Sequence, residues 1–277
     1  MINKLRQMPI LSKMISIFTN KYNYVNYLAQ GSNGVMNLYK KRNKLYAIKT
    51  VKKDYINNEI EILMKLKNED SSIIKLQDVY EDETFYNYNL VFDYLKGGEL
   101  FDYIKELEFI PEKETSNLIL KVLEMLTICH EKNILHLDIK PENLMFRDKE
   151  DKKDLVLIDF SCSQVFSSDS KNDLVPILSN NGCAGTLNYS APEILENYAG
   201  FCSDMWSVGV LTYVMLTGYT CFKSKDAVKD GIYPKHPKRY EKLSDKAKDF
   251  IDKLININYE LRMTLEEAKK HPFIINI

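Results

Sequence analysis

The chain has 277 residues, 45% of them hydrophobic and 28% charged, with 10 Gly and 8 Pro. That composition excludes a peptide, a fibrous repeat and a disordered chain, and leaves room for one large domain or two packed lobes. With 38 Lys and Arg against 39 Asp and Glu the net charge is −1, so no global field draws the chain to nucleic acid or to an anionic membrane.

The first residues, 1–21, read as a basic, Met- and Ile-rich extension interrupted by Pro9. No Asp or Glu precedes Asp54, whereas 11 Lys and Arg do. This asymmetry suits a region that attracts polyphosphate, but the favoured reading is an ordinary solvated surface. Over 22–51 the alternation in Tyr24-Val25-Asn26-Tyr27-Leu28 and the run Leu45-Tyr46-Ala47-Ile48 predict antiparallel strands. They are broken by Gly31-Ser32-Asn33-Gly34 and by the turn Lys40-Lys41-Arg42-Asn43. A short helix is expected over 58–66, followed by apolar runs at 73–79 and 88–94. After Gly97-Gly98 the period becomes helical, over 99–105, 113–132, 203–217, 244–255 and 264–270. A small β-rich lobe thus precedes a larger helical one, with Gly97-Gly98 as the natural joint.

The longest strongly apolar stretch, 208–216, is about half of what crosses a bilayer, so no membrane span is expected. Five cysteines, Cys129, Cys162, Cys183, Cys202 and Cys221, form an odd set without a C-x-x-C pair. Neither a disulfide framework nor a zinc site is expected. A reducing compartment follows, with the cytoplasm expected and the nucleus left open.

Gly31-Ser32-Asn33-Gly34 lacks the Lys-Ser/Thr of a Walker loop and the full Rossmann glycine pattern. One strand later Lys49 ends the run Tyr46-Ala47-Ile48-Lys49, and an ammonium there needs an anionic partner. Glu59 is a candidate counter-charge, although Glu61 two residues on shows that a helix Glu is ordinary here. The specific signal is His136-Leu137-Asp138-Ile139-Lys140-Pro141-Glu142-Asn143, then Ile158-Asp159-Phe160, then Ala191-Pro192-Glu193. In order, type and spacing these match the signature set of the protein kinases.

The resemblance runs over nearly the whole chain. It implies an α+β, bilobal kinase fold, with a small antiparallel sheet lobe carrying one helix and a larger, mainly helical lobe. The kinase domain is expected over 22–274, with the small lobe over 22–92, a hinge over 93–96 and the large lobe over 97–274. The phrases Ser203-Asp204-Met205-Trp206-Ser207-Val208-Gly209 and Lys270-His271-Pro272-Phe273 resemble the calcium/calmodulin-dependent group, near myosin light chain, death-associated and protist calcium-dependent kinases. No calmodulin-binding tail or EF-hand is found in this chain, and a monomer is expected.

By resemblance, the cofactors are ATP and Mg²⁺. Asp138 would orient the attacking hydroxyl, Lys140 would neutralise the transferred phosphoryl group, and Asn143 and Asp159 would hold the metal. Lys49, paired with Glu59, would hold the nucleotide phosphates, under a loop containing Ala29, Gly31 and Gly34. Leu28, Met36, Ala47 and Met145 would enclose adenine. Phe92 would be the gatekeeper, with the Asp93 carbonyl and Leu95 amide meeting the adenine edge. Lys49 and Asp138 are expected to face solvent. Asp204 would tether the catalytic loop and Arg262 would pair with Glu193.

Four departures stand out: Ala29 for the first loop glycine, Asn33 at the loop tip, Ser161 for the glycine after Asp-Phe, and Cys221 for a proline. The Lys49 to Glu59 step is also short, implying a clipped helix. Lys140 and Gly185-Thr186 point to a serine/threonine protein kinase acting on protein substrates. Glu99 and Glu142 point to basic residues before the target, although Glu99 could instead bond the ribose. Leu137 replaces the Arg that reads a phosphorylated loop, and Gly182 stands where the phosphothreonine would be. The alternative is a pseudokinase or nucleotide-binding scaffold, motivated by Ala29, Ser161 and the short step.

Overall fold

The computed structural model describes residues 21–31, 34–55, 58–82, 85–167, 173–177, 186–235 and 238–275. Expectations that fall on 1–20, Ser32, Asn33, Gly182, Cys183 and Gly185 lie outside these. The chain divides into two compact units at Leu95 and Lys96.

The first unit is a five-stranded antiparallel sheet with strand order β1-β2-β3-β5-β4. Its strands are β1 (Asn23–Gly31), β2 (Gly34–Lys41), β3 (Lys44–Lys52), β4 (Leu76–Asp82) and β5 (Asn87–Asp93). Alternation sends Ile48 and Val91 to one face, where they pack with Tyr22 and Tyr80 in a buried cluster. Tyr22 meets the rings of Tyr46 and Tyr80 edge-on at 5.4 and 5.9 Å, the geometry that aromatic quadrupoles favour. Helix α1 (Glu59–Lys65) is only 7 residues long. It is held by burial of Ile60, Ile62 and Leu63 rather than by a side-chain cap. At the sheet's far end the ammonium of Lys53 is buried against Glu81, under the rings of Tyr86 and Tyr88.

The second unit is mainly helical. Its first three helices are α2 (Leu100–Leu107), α3 (Glu112–Glu131) and α4 (Phe201–Thr217). Five more follow: α5 (Lys225–Asp230), α6 (Lys238–Glu241), α7 (Asp245–Leu254), α8 (Leu265–Lys269) and α9 (Pro272–Ile275). Nearly every residue of α4 is buried, and α4 packs against both α3 and α7. A helix apolar on all sides belongs at the centre of a unit, and Phe201, Trp206, Val208, Leu211 and Leu216 make it so. Helix α4 starts two residues before the predicted Ser203, because Gly200 precedes it in extended backbone and donates its N–H to the Ser203 hydroxyl oxygen at 3.1 Å.

Short antiparallel pairs link the loops: β6 (Ile134–Leu135) with β9 (Gln164–Val165), β7 (Leu144–Phe146) with β8 (Leu155–Leu157), and β10 (Val175–Pro176) with β11 (Tyr198–Ala199). The β7–β8 hairpin is closed by Arg147 and Asp154 at 2.7 Å. Gly97 lies so close to this hairpin that a Cβ would collide with the carbonyl oxygens of Phe146 and Asp148. Gly98 adopts φ +81°, which favours glycine.

Candidate active site

In the first unit the register gathers several of the singled-out residues on one sheet face. Ala29 lies opposite Met36, Met36 opposite Lys49, and Ala47 opposite Phe92. Directly opposed residues in an antiparallel sheet share a face, so these five line up on the side away from Ile48. Leu28 is the extra residue where β1 shifts register between Tyr27 and Ala29, a bulge that re-aims the strand beside the glycine loop. Gly34 is obligatory, since a Cβ there would strike the Thr50 carbonyl, whereas at Gly31 nothing lies closer than 3.9 Å. Lys49 Nζ donates to Glu59 Oε1 at 2.8 Å. Phe92 is buried at the end of β5, Asp93 ends that strand with its carboxylate on Lys44 at 2.6 Å, and Leu95 is buried just beyond.

In the second unit Asp138 is the hub of a hydrogen-bonded cluster. Its Oδ2 accepts from Lys140 Nζ at 2.7 Å and from Asn143 Nδ2 at 2.8 Å. Its Oδ1 accepts from the backbone N–H of Thr186 at 3.0 Å and from the Thr186 hydroxyl at 3.1 Å. That hydroxyl in turn accepts from Lys140 at 2.7 Å. Asn143 Nδ2 also donates to the Asp138 carbonyl, 2.8 Å away. With its amide nitrogen so used, its carbonyl oxygen is the atom offered to a cation. Asp159 follows Ile158, whose N–H donates to the backbone carbonyl of Asn143 at 2.9 Å, so the two chain segments that carry Asn143 and Asp159 run side by side. Oxygen donors of this kind suit Mg²⁺, which keeps several waters and takes few protein ligands.

Two residues here sit in the left-handed region, Leu137 at φ 65° and Asp159 at φ 57°, at a cost of about 1–3 kcal/mol each. Asp204 offsets the first. Its Oδ1 accepts from the Leu137 N–H at 2.8 Å, and its Oδ2 accepts from the His136 N–H at 3.0 Å and contacts His130 Nε2 at 2.9 Å. Burial pushes the Asp204 carboxyl up, but the His130 bond and charge, His136 and the Leu137 N–H together hold it below the ordinary range. Arg262 forms a two-pronged pair with Glu193 at 2.6 and 3.0 Å, both residues buried.

Glu99 precedes α2 and bridges to Met145 on β7. Its carboxyl is pushed up by burial, then by Asp102 and Glu142, with Lys140 opposing. Glu142 has a buried oxygen, Oε2, with no hydrogen-bond partner among the described residues.

The protein kinase domain model matches residues 22–274. The chain belongs to the protein kinase family. The kinase is 32% identical over 276 residues to a Calcium/calmodulin-dependent protein kinase type 1 of Caenorhabditis briggsae, covering 94% of this chain and 74% of that protein. It is 36% identical over 242 residues to the Probable serine/threonine-protein kinase pXi of Dictyostelium discoideum, covering 85% of this chain but only 33% of that one. A twitchin kinase region from C. elegans superposes with a TM-score of 0.77 at 29% identity, covering 94% of this chain and 48% of that one, so the kinase spans about half of that structure. These likenesses make it a serine/threonine protein kinase domain of the calcium/calmodulin-dependent kinase group. Family membership carries ATP, Mg²⁺ and protein substrates with it.

Two expectations need correction in the kinase. Lys49 and Asp138 do not face solvent: their side chains are 12% and 6% exposed. Lys49 is enclosed with Glu59, and Asp138 is surrounded by Lys140, Asn143 and Thr186, so ion pairing and hydrogen bonding permit the burial. Cys162, for which no bond was expected, is disulfide-bonded, while Cys129, Cys202 and Cys221 are free thiols. Ser161 keeps an ordinary negative φ, so its Cβ meets no backbone strain. Sequence reasoning read Thr186 only as a marker of substrate class and overlooked its bonds to Asp138 and Lys140. It did not single out His130 at all, since neither partnership carries a local spacing signal. Among the described residues no helix is long and apolar enough to cross a membrane.

Proposed function

We propose that this kinase transfers the γ-phosphoryl group of ATP to Ser or Thr hydroxyls that follow Lys or Arg side chains. The observation that carries the basic preference is the carboxylate pair Glu99 and Glu142. One has its pKa raised by burial and by the other's charge, and the other has an unsatisfied buried oxygen. An arriving guanidinium would satisfy both, and charge-assisted bonds of this kind are about twice as strong as neutral ones.

The chain's residues divide the work as follows. Lys49, held by Glu59, fixes the nucleotide phosphates, while Leu28, Ala29, Gly31, Gly34, Met36, Ala47, Phe92, Asp93, Leu95 and Met145 bind the rest of the nucleotide. Asn143 and Asp159 would hold Mg²⁺, which neutralises charge on the phosphates when bound. Asp138 accepts a hydrogen bond from the substrate hydroxyl and aims its oxygen at the γ-phosphorus. The proton leaves toward Asp138 as the new P–O bond forms and the bond to the departing diphosphate oxygen breaks. Lys140 balances the charge on the moving group. Retention of Lys49, Asp138, Asn143 and Asp159 supports catalysis over a scaffold role, because a scaffold needs none of the bonds around Asp138.

The test is a Mg-ATP assay on a degenerate peptide library, with Asp138→Asn as control. Enrichment of Arg or Lys before the target residue is the expected result, and enrichment of acidic residues there overturns the proposal. Glu99→Gln should raise KM for basic peptides. A rise confined to the KM for ATP would assign Glu99 to the ribose instead.

A further inference from the structure

The second unit contains a cavity of about 1050 Å³. It is framed by the C-terminal end of α3, the start of α4, the turn before α8, and Asp173 and Leu174 leading into β10. None of the residues assigned above to nucleotide, metal or phosphoryl transfer lines it. Its size is at the upper limit of the roughly 300–1,000 Å³ that holds a small ligand, and therefore fits several side chains of a polypeptide.

The lining has two chemistries. Met205 and Met263 are buried apolar side chains, Leu174 and Leu265 are partly exposed, and Tyr198 is 46% exposed at the edge. Around them Glu131, Glu260 and Glu266 are exposed, and none makes an ion pair with a described residue. The basic side chains of the lining are already committed. Arg262 is bonded to Glu193, and His130 is bonded to Asp204. Lys269 reaches the edge through Thr127 at 3.1 Å, one ammonium against the three glutamates. An apolar hollow ringed by uncompensated negative charge is complementary to a segment that is both basic and apolar.

We propose that this cavity is a docking site for an extended segment of a partner protein, with apolar side chains on the hollow and Lys or Arg side chains against Glu131, Glu260 and Glu266. It is separate from the Glu99 and Glu142 pair that reads the phosphorylated segment. The chain holds its own reporter. Arg262 stacks over Trp206 at 5.1 Å, and Trp206 is the only tryptophan.

The experiment titrates the full chain with a synthetic peptide alternating Lys and Leu, following Trp206 fluorescence and the heat of binding. Two control peptides replace Lys by Glu or Leu by Ser. Saturable binding of the Lys/Leu peptide alone, with a change in fluorescence, is expected. The double variant Glu260→Lys, Glu266→Lys should weaken it roughly tenfold with no change in turnover of a short peptide substrate. Glu131→Gln should weaken it less, and Glu99→Gln should leave it unaltered. Binding that survives the double reversal, that tolerates Ser for Leu or Glu for Lys, or that is lost with Glu99→Gln overturns the proposal.

Discussion

Lys49 and Glu59 meet at 2.8 Å although only 10 positions separate them in the chain. The short step leaves room for an α1 of 7 residues whose first residue is Glu59 itself. Because both side chains are nearly enclosed, the pair matters to stability as well as to phosphate binding. Lys49→Met should abolish phosphotransfer and also lower stability by about 3 kcal/mol, since it takes the cation away from a buried carboxylate. Adding Glu59→Gln should restore much of the stability and none of the turnover. Urea unfolding beside a phosphotransfer assay separates the two effects, and an unchanged unfolding midpoint in Lys49→Met would contradict the burial argument.

Asp138→Asn should reduce turnover by roughly 10²–10⁴-fold while the folded state persists. The amide keeps one accepting oxygen, which can serve the Thr186 side or the Lys140 side but not both, and it no longer takes the hydroxyl proton. Retention of wild-type turnover would remove Asp138 from its assigned role.

Arg262→Ala should destabilise the second unit by about 3–5 kcal/mol, because Glu193 would then be buried without its cation. Glu193→Gln in the same chain should recover part of that loss. Thermal unfolding of the two variants checks it, and equal midpoints for wild type and Arg262→Ala would refute it.

Turnover should not depend on phosphate in the segment after Asp159. Leu137 offers no cation to a phosphate, and its N–H is already held by Asp204. Thr186 reaches Asp138 through both its N–H and its hydroxyl. Exhaustive phosphatase treatment should therefore leave the rate unaltered. A collapse would show that a phosphate orders this segment.

Acid should destabilise the fold in two stages. Burial lowers the His136 pKa from its ordinary 6.5, outweighing Asp204, Asp138, Asp159 and the Ile158 carbonyl, which favour the cation. The unfolded chain then takes up a proton that the fold refuses, so stability falls as pH drops below 6.5. A second loss follows below the ordinary carboxylate values of 3.8 and 4.5. There Asp249, held down by Lys253 and His271, and Glu267, held down by the Thr264 N–H and hydroxyl, become protonated. Unfolding free energies measured from pH 7 to pH 3 should show both stages, and His136→Asn should remove only the upper one.

The readable part of this molecule is the part whose chemistry lies in contiguous phrases. Asp138, Lys140 and Asn143 fall within six positions, and a loop that short must bring them together. The alternation of β3 likewise separates Lys49 from Ile48. What the chain did not disclose depends on long-range pairing. His130 and Asp204 are 74 residues apart, and β10 meets β11 through a register that no periodicity specifies. The burial of Lys49 and Asp138 was misjudged because a charged side chain's exposure is set by partners brought in by the fold.

The two backbone N–H groups that Asp204 accepts from have a consequence for how the molecule breathes. Asp204 is fully buried on α4, at the centre of the second unit. The amide protons of His136 and Leu137 can reach water only when that helix moves away. Loop amides usually exchange with solvent through small local openings, whereas core amides wait for unfolding of the whole unit. The His136 and Leu137 amides should therefore exchange as slowly as those within α4, so the catalytic loop keeps time with the core rather than with the surface.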